Sequence, residues 1–124
     1  MLLIISVSGC YYDKAELLYP TNPQGCDTTV VRYSVEVVNI LSTNCDVCHG
    51  GAATGSGGIM LDNYAGLKAR ASNGLLLKAI THSAGAPPMP QDGPKLADCD
   101  ILKISAWINR GAPNNYPTYT NLKQ

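Results

Sequence analysis

Apolar residues recur three or four positions apart along four stretches of the chain, the spacing that places side chains on one face of a helix. Two long segments between these stretches lack the pattern and are rich in glycine or proline. We therefore predict an all-α protein with about four helices around two long loops. The predicted helices span 34–45, 61–74, 75–83 and 98–111.

The first predicted helix carries Val38, Leu41 and Cys45 on one face, at positions i, i+3 and i+7. Ser34 is the expected N-cap, and the carboxylate of Glu36 suits the positive end of the helix dipole. The β-branched residues of this stretch would also suit a strand, so the helix prediction rests on the periodicity.

The second and fourth predicted helices have clear boundary signals. Asp62 and Asp98 are the expected N-caps, Gly74 and Gly111 the expected ends, and Pro113 stops the last helix. The expected apolar faces consist of Tyr64, Leu67 and Ala71 in the second helix and of Ile101, Ile104 and Ile108, flanked by Trp107, in the fourth.

The two loops differ in composition. Residues 49–58, HGGAATGSGG, contain five glycines, and residues 84–94 contain four prolines. The glycine-rich loop is either a flexible connection or backbone that passes close to a flat ligand, where side chains would clash. The proline-rich loop can form neither a helix nor a central strand.

Composition limits the class of protein. A chain of 124 residues suffices for one small domain, and with no Phe and one Trp its core is expected to need a staple, a metal or a cofactor. Nine basic and nine acidic residues, with no run of either sign, give no support for nucleic-acid binding. Five cysteines suggest an oxidising compartment.

The N-terminal sequence, MLLIISVSGC, is apolar from Leu2 to Val7 and has small residues before Cys10. The apolar run is too short to span a bilayer and is typical of the end of an export signal, although no Lys or Arg precedes it. VSGC is similar to a lipobox, where bacterial lipoproteins are cut and the cysteine is acylated. The alternative is an apolar strand with a free thiol.

The lipoprotein interpretation divides the chain into four parts. They are a signal segment over 1–9, a membrane tether over 10–25, a domain over 26–116 and a C-terminal tail over 117–124. The protein would be exported and held by lipid on Cys10 at the periplasmic or outer side of a membrane.

The sequence STNCDVCHGG, 42–51, combines Cys45, Cys48 and His49, as do redox dithiols, halves of zinc sites and c-type haem attachment sites. A redox dithiol belongs at the start of a helix in a βαβ setting, which this chain lacks. A zinc site needs a fourth ligand, and no second metal-spaced pair supplies one. Haem attachment suits the spacing, because two thiols on one helical turn can reach the two vinyl groups of one porphyrin.

A haem iron that transfers electrons needs a sixth ligand, for which Met60, His82 and Met89 are candidates. Pro88 and Pro90 fix the backbone on both sides of Met89 in a polar loop, where a methionine is not core filler. Met60 lies just before a helix and is expected to pack. We predict Met89 as the distal ligand, with His82 as the alternative ligand, a partner of a haem propionate, or a surface residue.

The order of these features resembles class I cytochrome c, in particular the small monohaem domains of exported bacterial lipoproteins. The resemblance covers most of the chain and rests on CDVCH, GGIMLDNYAGL, PPMP and ISAWINRGAPNN. It implies one haem c, bound covalently to Cys45 and Cys48, in a cleft between first and last helices that cross. His49 would be the proximal iron ligand and Met89 the distal one, and Trp107 would pack against the haem or the helix crossing.

Under this resemblance, haem takes two cysteines and lipid takes Cys10, so Cys26 and Cys99 remain. We infer that they form a disulfide between the start of the domain and the start of the last helix. The alternative, two free buried thiols, is less expected in an oxidising compartment.

The resemblance implies an electron carrier at a membrane rather than an enzyme, with respiratory complexes as redox partners. The balanced charge argues against strong electrostatic steering, and a lipid anchor would instead raise the local concentration at the membrane. Other functions stay open: a haem enzyme or gas sensor with a displaceable methionine, a thiol oxidoreductase, and a haem-bearing structural subunit of a larger complex.

Overall fold

The computed structural model describes residues 25–51 and 54–116. The predicted signal segment, Cys10, all of the predicted tether except Gly25, and the predicted tail lie outside these ranges. Within them the chain forms helices and loops and no strand, which confirms the prediction of an all-α chain. None of the helices in the described ranges has the length and apolar character that crossing a membrane requires.

The helices follow one another in a simple order. A π-helix over Tyr33–Val37 leads directly into α1, and a 3-10 turn over Thr54–Ser56 lies in the glycine-rich loop. The α-helices are α1 (Val38–Asn44), α2 (Asp46–His49), α3 (Tyr64–Ser72), α4 (Leu75–Ile80) and α5 (Asp98–Asn109). The long loop between α4 and α5 contains the proline-rich segment, as predicted.

The start of the first helix differs from the prediction. Arg32, not Ser34, occupies the N-cap position, and its backbone N–H donates to the Glu36 carboxylate at 2.7 Å. The N–H groups of Tyr33 and Ser34 donate instead to the side chain and carbonyl of Asn115, at 2.6 and 3.3 Å. A residue far along the chain therefore satisfies the free donors at this helix start.

The buried face of the first helix is also shifted from the prediction. Val38 is 38% exposed, whereas Val37, Ile40 and Leu41 are buried together with Cys45. Tyr33, Val37 and Leu41 recur at the spacing of a regular helix, so the buried stripe passes through Val37 rather than through its neighbour Val38.

The start signals of α3 and α5 were wrong by one residue. Asn63 caps α3 by accepting from the N–H of Gly66 at 2.9 Å. The Asp62 carboxylate instead accepts from the N–H of Gly51 in the glycine-rich loop. Ala97 precedes α5 without a side-chain cap, and Asp98 lies inside the helix, where it pairs with Lys95 at 3.2 Å.

The predicted helix ends are confirmed by the backbone. Gly74 and Gly111 follow α3 and α5 with φ angles of 78° and 89°, a left-handed conformation that costs glycine little. After α5, Gly111 donates to the carbonyl of Ile108 and Ala112 to that of Trp107, both at 2.9 Å. These two hydrogen bonds form a Schellman motif, which closes the last turn.

The core centres on Trp107, whose side chain is fully buried at 0% exposure. Its ring stacks on Tyr33 at 6.1 Å between centroids, and its indole N–H donates to the carbonyl of Pro113 at 2.9 Å. The predicted faces of the helices are broadly confirmed, since Leu67, Ala71 and Ile104 are buried. The α5 face, however, centres on Ile104 and Trp107, with Ile101 and Ile108 at its margins.

The residues that precede the first helix are joined to both ends of α5. A disulfide joins Cys26 to Cys99 in the first turn of α5, with 5.5 Å between their Cα atoms, which confirms the predicted pair. At the other end of α5, the guanidinium of Arg110 donates to the carbonyls of Thr28 and Thr29 at 2.7 and 3.0 Å. The first helical segment thereby packs against the last helix.

Candidate functional site

The CDVCH sequence forms a single helical turn that breaks away from α1. Cys45 has φ −125° and ψ −39°, so α1 ends before it and α2 begins after it. The carbonyl of Cys45 accepts from the N–H groups of Cys48 and His49 at 3.1 and 2.9 Å. Residues i, i+3 and i+4 of one turn are neighbours, so this turn brings the backbone positions of both cysteines and His49 together.

Both cysteines of this turn carry free thiols, but their surroundings differ. Cys45 is 9% exposed, whereas Cys48 is open to solvent. Burial, and next the nearby Asp46 carboxylate, raises the pKa of the Cys45 thiol to about 11. Redox-active C-x-x-C motifs have lowered pKa values, because the thiolate is the reactive form. The surroundings of Cys45 therefore argue against a redox dithiol.

The carboxylate of Asp46 contributes to this electrostatic setting. Its Oδ1 atom is buried and has no hydrogen-bond partner within the described ranges. Burial, and next the Asp62 carboxylate, raises the pKa of Asp46, while His49 opposes the shift. The turn thus places a carboxyl group of raised pKa beside the Cys45 thiol.

His49 is held in one orientation and one tautomer. Its ring is 9% exposed, and its Nδ1 atom lies 2.9 Å from the carbonyl oxygen of Ile59. Because a carbonyl can only accept, Nδ1 must carry the proton, and in the neutral ring Nε2 keeps its lone pair. No residue of the described ranges hydrogen-bonds to Nε2. This nitrogen is therefore available as a metal ligand.

The segment 59–61 supports His49 from one side. Besides the ring contact to Ile59, the N–H of Leu61 donates to the backbone carbonyl of His49 at 2.8 Å. Gly66 in α3 presses against the carbonyl of Met60 so closely that a Cβ atom at position 66 would clash with it. Close packing of α3 thus fixes the segment that orients the imidazole.

Met60 does not pack in the core as predicted, because its side chain is 39% exposed. Its backbone belongs to the segment that supports His49, so it lies on the His49 side of the site. A second iron ligand would have to come from a part of the chain other than the segment that supports His49. This placement counts against Met60 as the distal ligand.

Met89 lies in the proline-rich loop and is held through its backbone. Its N–H donates to the carbonyl of Ala79 in α4 at 3.0 Å, and its own carbonyl lies 3.1 Å from Nε2 of His82. The Met89–Pro90 peptide bond is cis. The methionine therefore occupies a defined position at the end of α4.

The described contacts do not join all predicted site residues. Cys45, Cys48 and His49 share one turn, whereas no hydrogen bond or ion pair of the described residues links Met89 to that turn. Trp107 lies at the packing of the first and last helices, one of its two predicted positions. Its predicted contact with haem stays a prediction.

The described residues contain no group of three or more His, Cys, Asp or Glu side chains arranged to hold a metal ion. A structural zinc site requires four such ligands. A haem iron requires less of the protein, because the porphyrin supplies four nitrogens and the chain only the axial ligands. One histidine with an open nitrogen meets the proximal requirement.

The sequence did not reveal which residues support the motif. Ile59 and Leu61 act on His49 through backbone atoms, which leave no sequence pattern. Gly66 offered a weak signal, since a glycine in the middle of an amphipathic helix commonly has a packing reason.

No family model, curated protein or solved structure matches the chain. Two free thiols on one turn, beside an imidazole whose Nδ1 is bonded and whose Nε2 is open, suit a flat ligand that is bound covalently and carries a metal.

Proposed function

We propose that this chain is a monohaem c-type cytochrome and acts as an electron carrier tethered to a membrane. The observation that carries the proposal is His49, whose Nδ1 donates to the Ile59 carbonyl at 2.9 Å on the same turn as both thiols. Histidines that bind metals almost always donate their other ring N–H to a carbonyl or carboxylate. In this chain the arrangement occurs at the histidine of a C-x-x-C-H sequence.

The residues have distinct tasks in this proposal. Cys45 and Cys48 would hold the haem through thioether bonds, and Nε2 of His49 would bind the iron. When bound, the haem supplies an iron that alternates between the ferrous and ferric states. The hydrogen bond to Ile59 keeps the imidazole in the ligating tautomer and prevents rotation of its ring.

Met89 is the proposed distal ligand. The backbone bonds to Ala79 and His82 give this methionine a defined place, while Met60 lies on the His49 side. With His49 and Met89 as its ligands, the iron would favour the ferrous state and have a raised reduction potential. A fixed methionine also occupies the position that oxygen or carbon monoxide would need, which suits a carrier better than a gas sensor.

The fold is proposed to be that of class I cytochrome c. Two features support this: the all-α order, and the packing of the first helical segment on the last helix through Tyr33 and Trp107. The disulfide from Cys26 to Cys99 supplies the staple that a core without Phe was expected to need.

The setting of the protein belongs to the proposal as well. A structural disulfide fits an exported protein. Lipid on Cys10 would hold the domain at the periplasmic or outer side of a membrane, where respiratory complexes would donate and accept its electrons. In this proposal electrons would be exchanged and no substrate converted, so the protein would not be an enzyme. Nine basic and nine acidic residues with no run of either sign give no support for nucleic-acid binding.

Carbon monoxide binding to haem-loaded protein tests the proposed distal ligand. The ferrous wild-type protein is expected to keep its spectrum under carbon monoxide, because Met89 closes the sixth position. Met89→Ala is expected to bind carbon monoxide stoichiometrically. The matched control is Met60→Ala, which removes the half-exposed methionine of the His49 side and is expected to behave like the wild type.

Two results would contradict this assignment. Rapid carbon monoxide binding by the wild type would indicate an open or easily displaced ligand and favour a haem enzyme or sensor. A closed site in Met89→Ala combined with an open one in Met60→Ala would move the distal ligand to Met60.

A further inference from the structure

We propose that His82 is a positioning residue for Met89: its imidazole holds the Met89 carbonyl and so keeps the methionine side chain in the place of the distal ligand. The inference rests on the proposed function, because it takes Met89 as the iron ligand. It differs from both roles predicted for His82 in iron or propionate binding.

The end of α4 provides the frame for this interaction. The carbonyls in the last turn of a helix have no partner within the helix. In α4 the Ala79 carbonyl accepts from the N–H of His82 at 3.2 Å and from that of Met89 at 3.0 Å. The Ala79 carbonyl oxygen thus accepts hydrogen bonds from both ends of the loop that runs from His82 to Met89.

The imidazole of His82 adds a second bond to Met89. Its Nε2 atom lies 3.1 Å from the Met89 carbonyl oxygen, and Nε2 must donate because a carbonyl only accepts. Met89 is therefore held at its N–H by Ala79 and at its carbonyl by His82. With the peptide groups on both sides of its Cα bound, the direction of its side chain from the backbone is set.

The backbone of His82 is shaped for this contact. Its φ angle is 55°, in the left-handed region that histidine enters more readily than most non-glycine residues. The side chain is exposed, so it has no role in core packing. An exposed imidazole directed at the backbone of the proposed ligand is more simply explained by positioning than by stability.

The same bond argues against His82 as the iron ligand. Nε2 is the ring nitrogen that the Met89 carbonyl occupies, and an iron bond through it would require the loop to release this contact. In this arrangement the two residues act together, one as the ligand and the other as its support.

Three variants of the haem-loaded protein test the proposal. His82→Asn keeps a residue type that tolerates a positive φ but is too short to reach the Met89 carbonyl. His82→Gln restores an amide donor at about the distance of the imidazole Nε2. Gln91→Ala is the matched control. Gln91 is exposed in the same connection between α4 and α5, and its side chain forms no hydrogen bond with the described residues.

The measurements are the rate of carbon monoxide binding to the ferrous protein and the methionine–iron charge-transfer band of the ferric protein. Losing one hydrogen bond of about 1 kcal/mol corresponds to about a fivefold larger fraction with Met89 detached. We therefore expect His82→Asn to bind carbon monoxide about fivefold faster, with a weakened charge-transfer band. His82→Gln and Gln91→Ala are expected to match the wild type.

The possible failures are distinguishable. If the wild type shows the methionine band and His82→Asn leaves both readouts unchanged, the positioning role is wrong while the proposed function stands. If His82→Asn abolishes low-spin ligation but Met89→Ala does not, His82 is itself the ligand. If the wild type carries no haem, both proposals fall together.

Discussion

Replacing Trp107 with alanine is expected to lower the free energy of unfolding by about 3–5 kcal/mol, the usual cost of removing a buried aromatic side chain. The ring is fully buried at the packing of the first and last helices, and it stacks on Tyr33. The core offers no phenylalanine to fill the resulting cavity. Denaturant unfolding followed by circular dichroism measures the change without relying on the lost tryptophan fluorescence.

The matched variant Trp107→Phe separates packing from hydrogen bonding. It keeps an aromatic ring but loses the indole N–H that donates to Pro113 at 2.9 Å. We expect the loss of this part-buried hydrogen bond to cost about 1 kcal/mol, and the variant to be more stable than Trp107→Ala. A loss below about 1 kcal/mol in Trp107→Ala would show that this contact does not hold the helices together.

Removing the disulfide is expected to have an effect of similar size. Cys26 and Cys99 are 73 residues apart, and the chain-entropy model predicts about 3–5 kcal/mol of stabilisation for a loop of that length. The double variant Cys26→Ser, Cys99→Ser should therefore unfold at clearly lower denaturant concentration. Haem-loaded protein is the appropriate sample, because Cys45 and Cys48 would then be blocked as thioethers.

Reducing agent provides a second form of this experiment. With the haem iron kept ferrous in every sample, reducing agent should destabilise the wild type by the same amount and leave the double variant unchanged. Equal stability of the wild type with its disulfide intact and with its disulfide reduced would contradict the prediction.

Local signals predicted much of this fold correctly, and tertiary contacts account for most of the errors. The helix ends at Gly74 and Gly111 were predicted correctly, because glycine is the residue that most readily adopts the left-handed conformation found there. The cap at Ser34 was wrong because the N-cap position lies two residues earlier, at Arg32, and Asn115 binds the backbone there from more than 80 residues away. The buried face around Val38 was wrong because Val37 fits the helical spacing with Leu41 as well as Val38 does, and only the packing selects between them.

The candidate site was likewise predictable from local spacing but not from tertiary contacts. A fixed spacing placed Cys45, Cys48 and His49 on one turn, and the structure has them there. The Ile59 carbonyl that fixes the imidazole could not be predicted, because any residue type supplies that atom. The bond from His82 to Met89 depends on how the loop folds back onto α4, so the sequence offered two candidate ligands but not their relation.

The central claim is that Cys45, Cys48 and His49 hold a haem, and one measurement tests it most directly. The full chain is produced together with haem-attachment machinery, and its intact mass and its oxidised and reduced absorption spectra are recorded. The double variant Cys45→Ser, Cys48→Ser is the control, since it removes both thiols and leaves His49 in place. We predict one covalent haem and a low-spin c-type spectrum for the wild type and no covalent haem for the variant. A colourless wild-type protein with two thiols at Cys45 and Cys48 that react with alkylating reagents after unfolding would contradict the account.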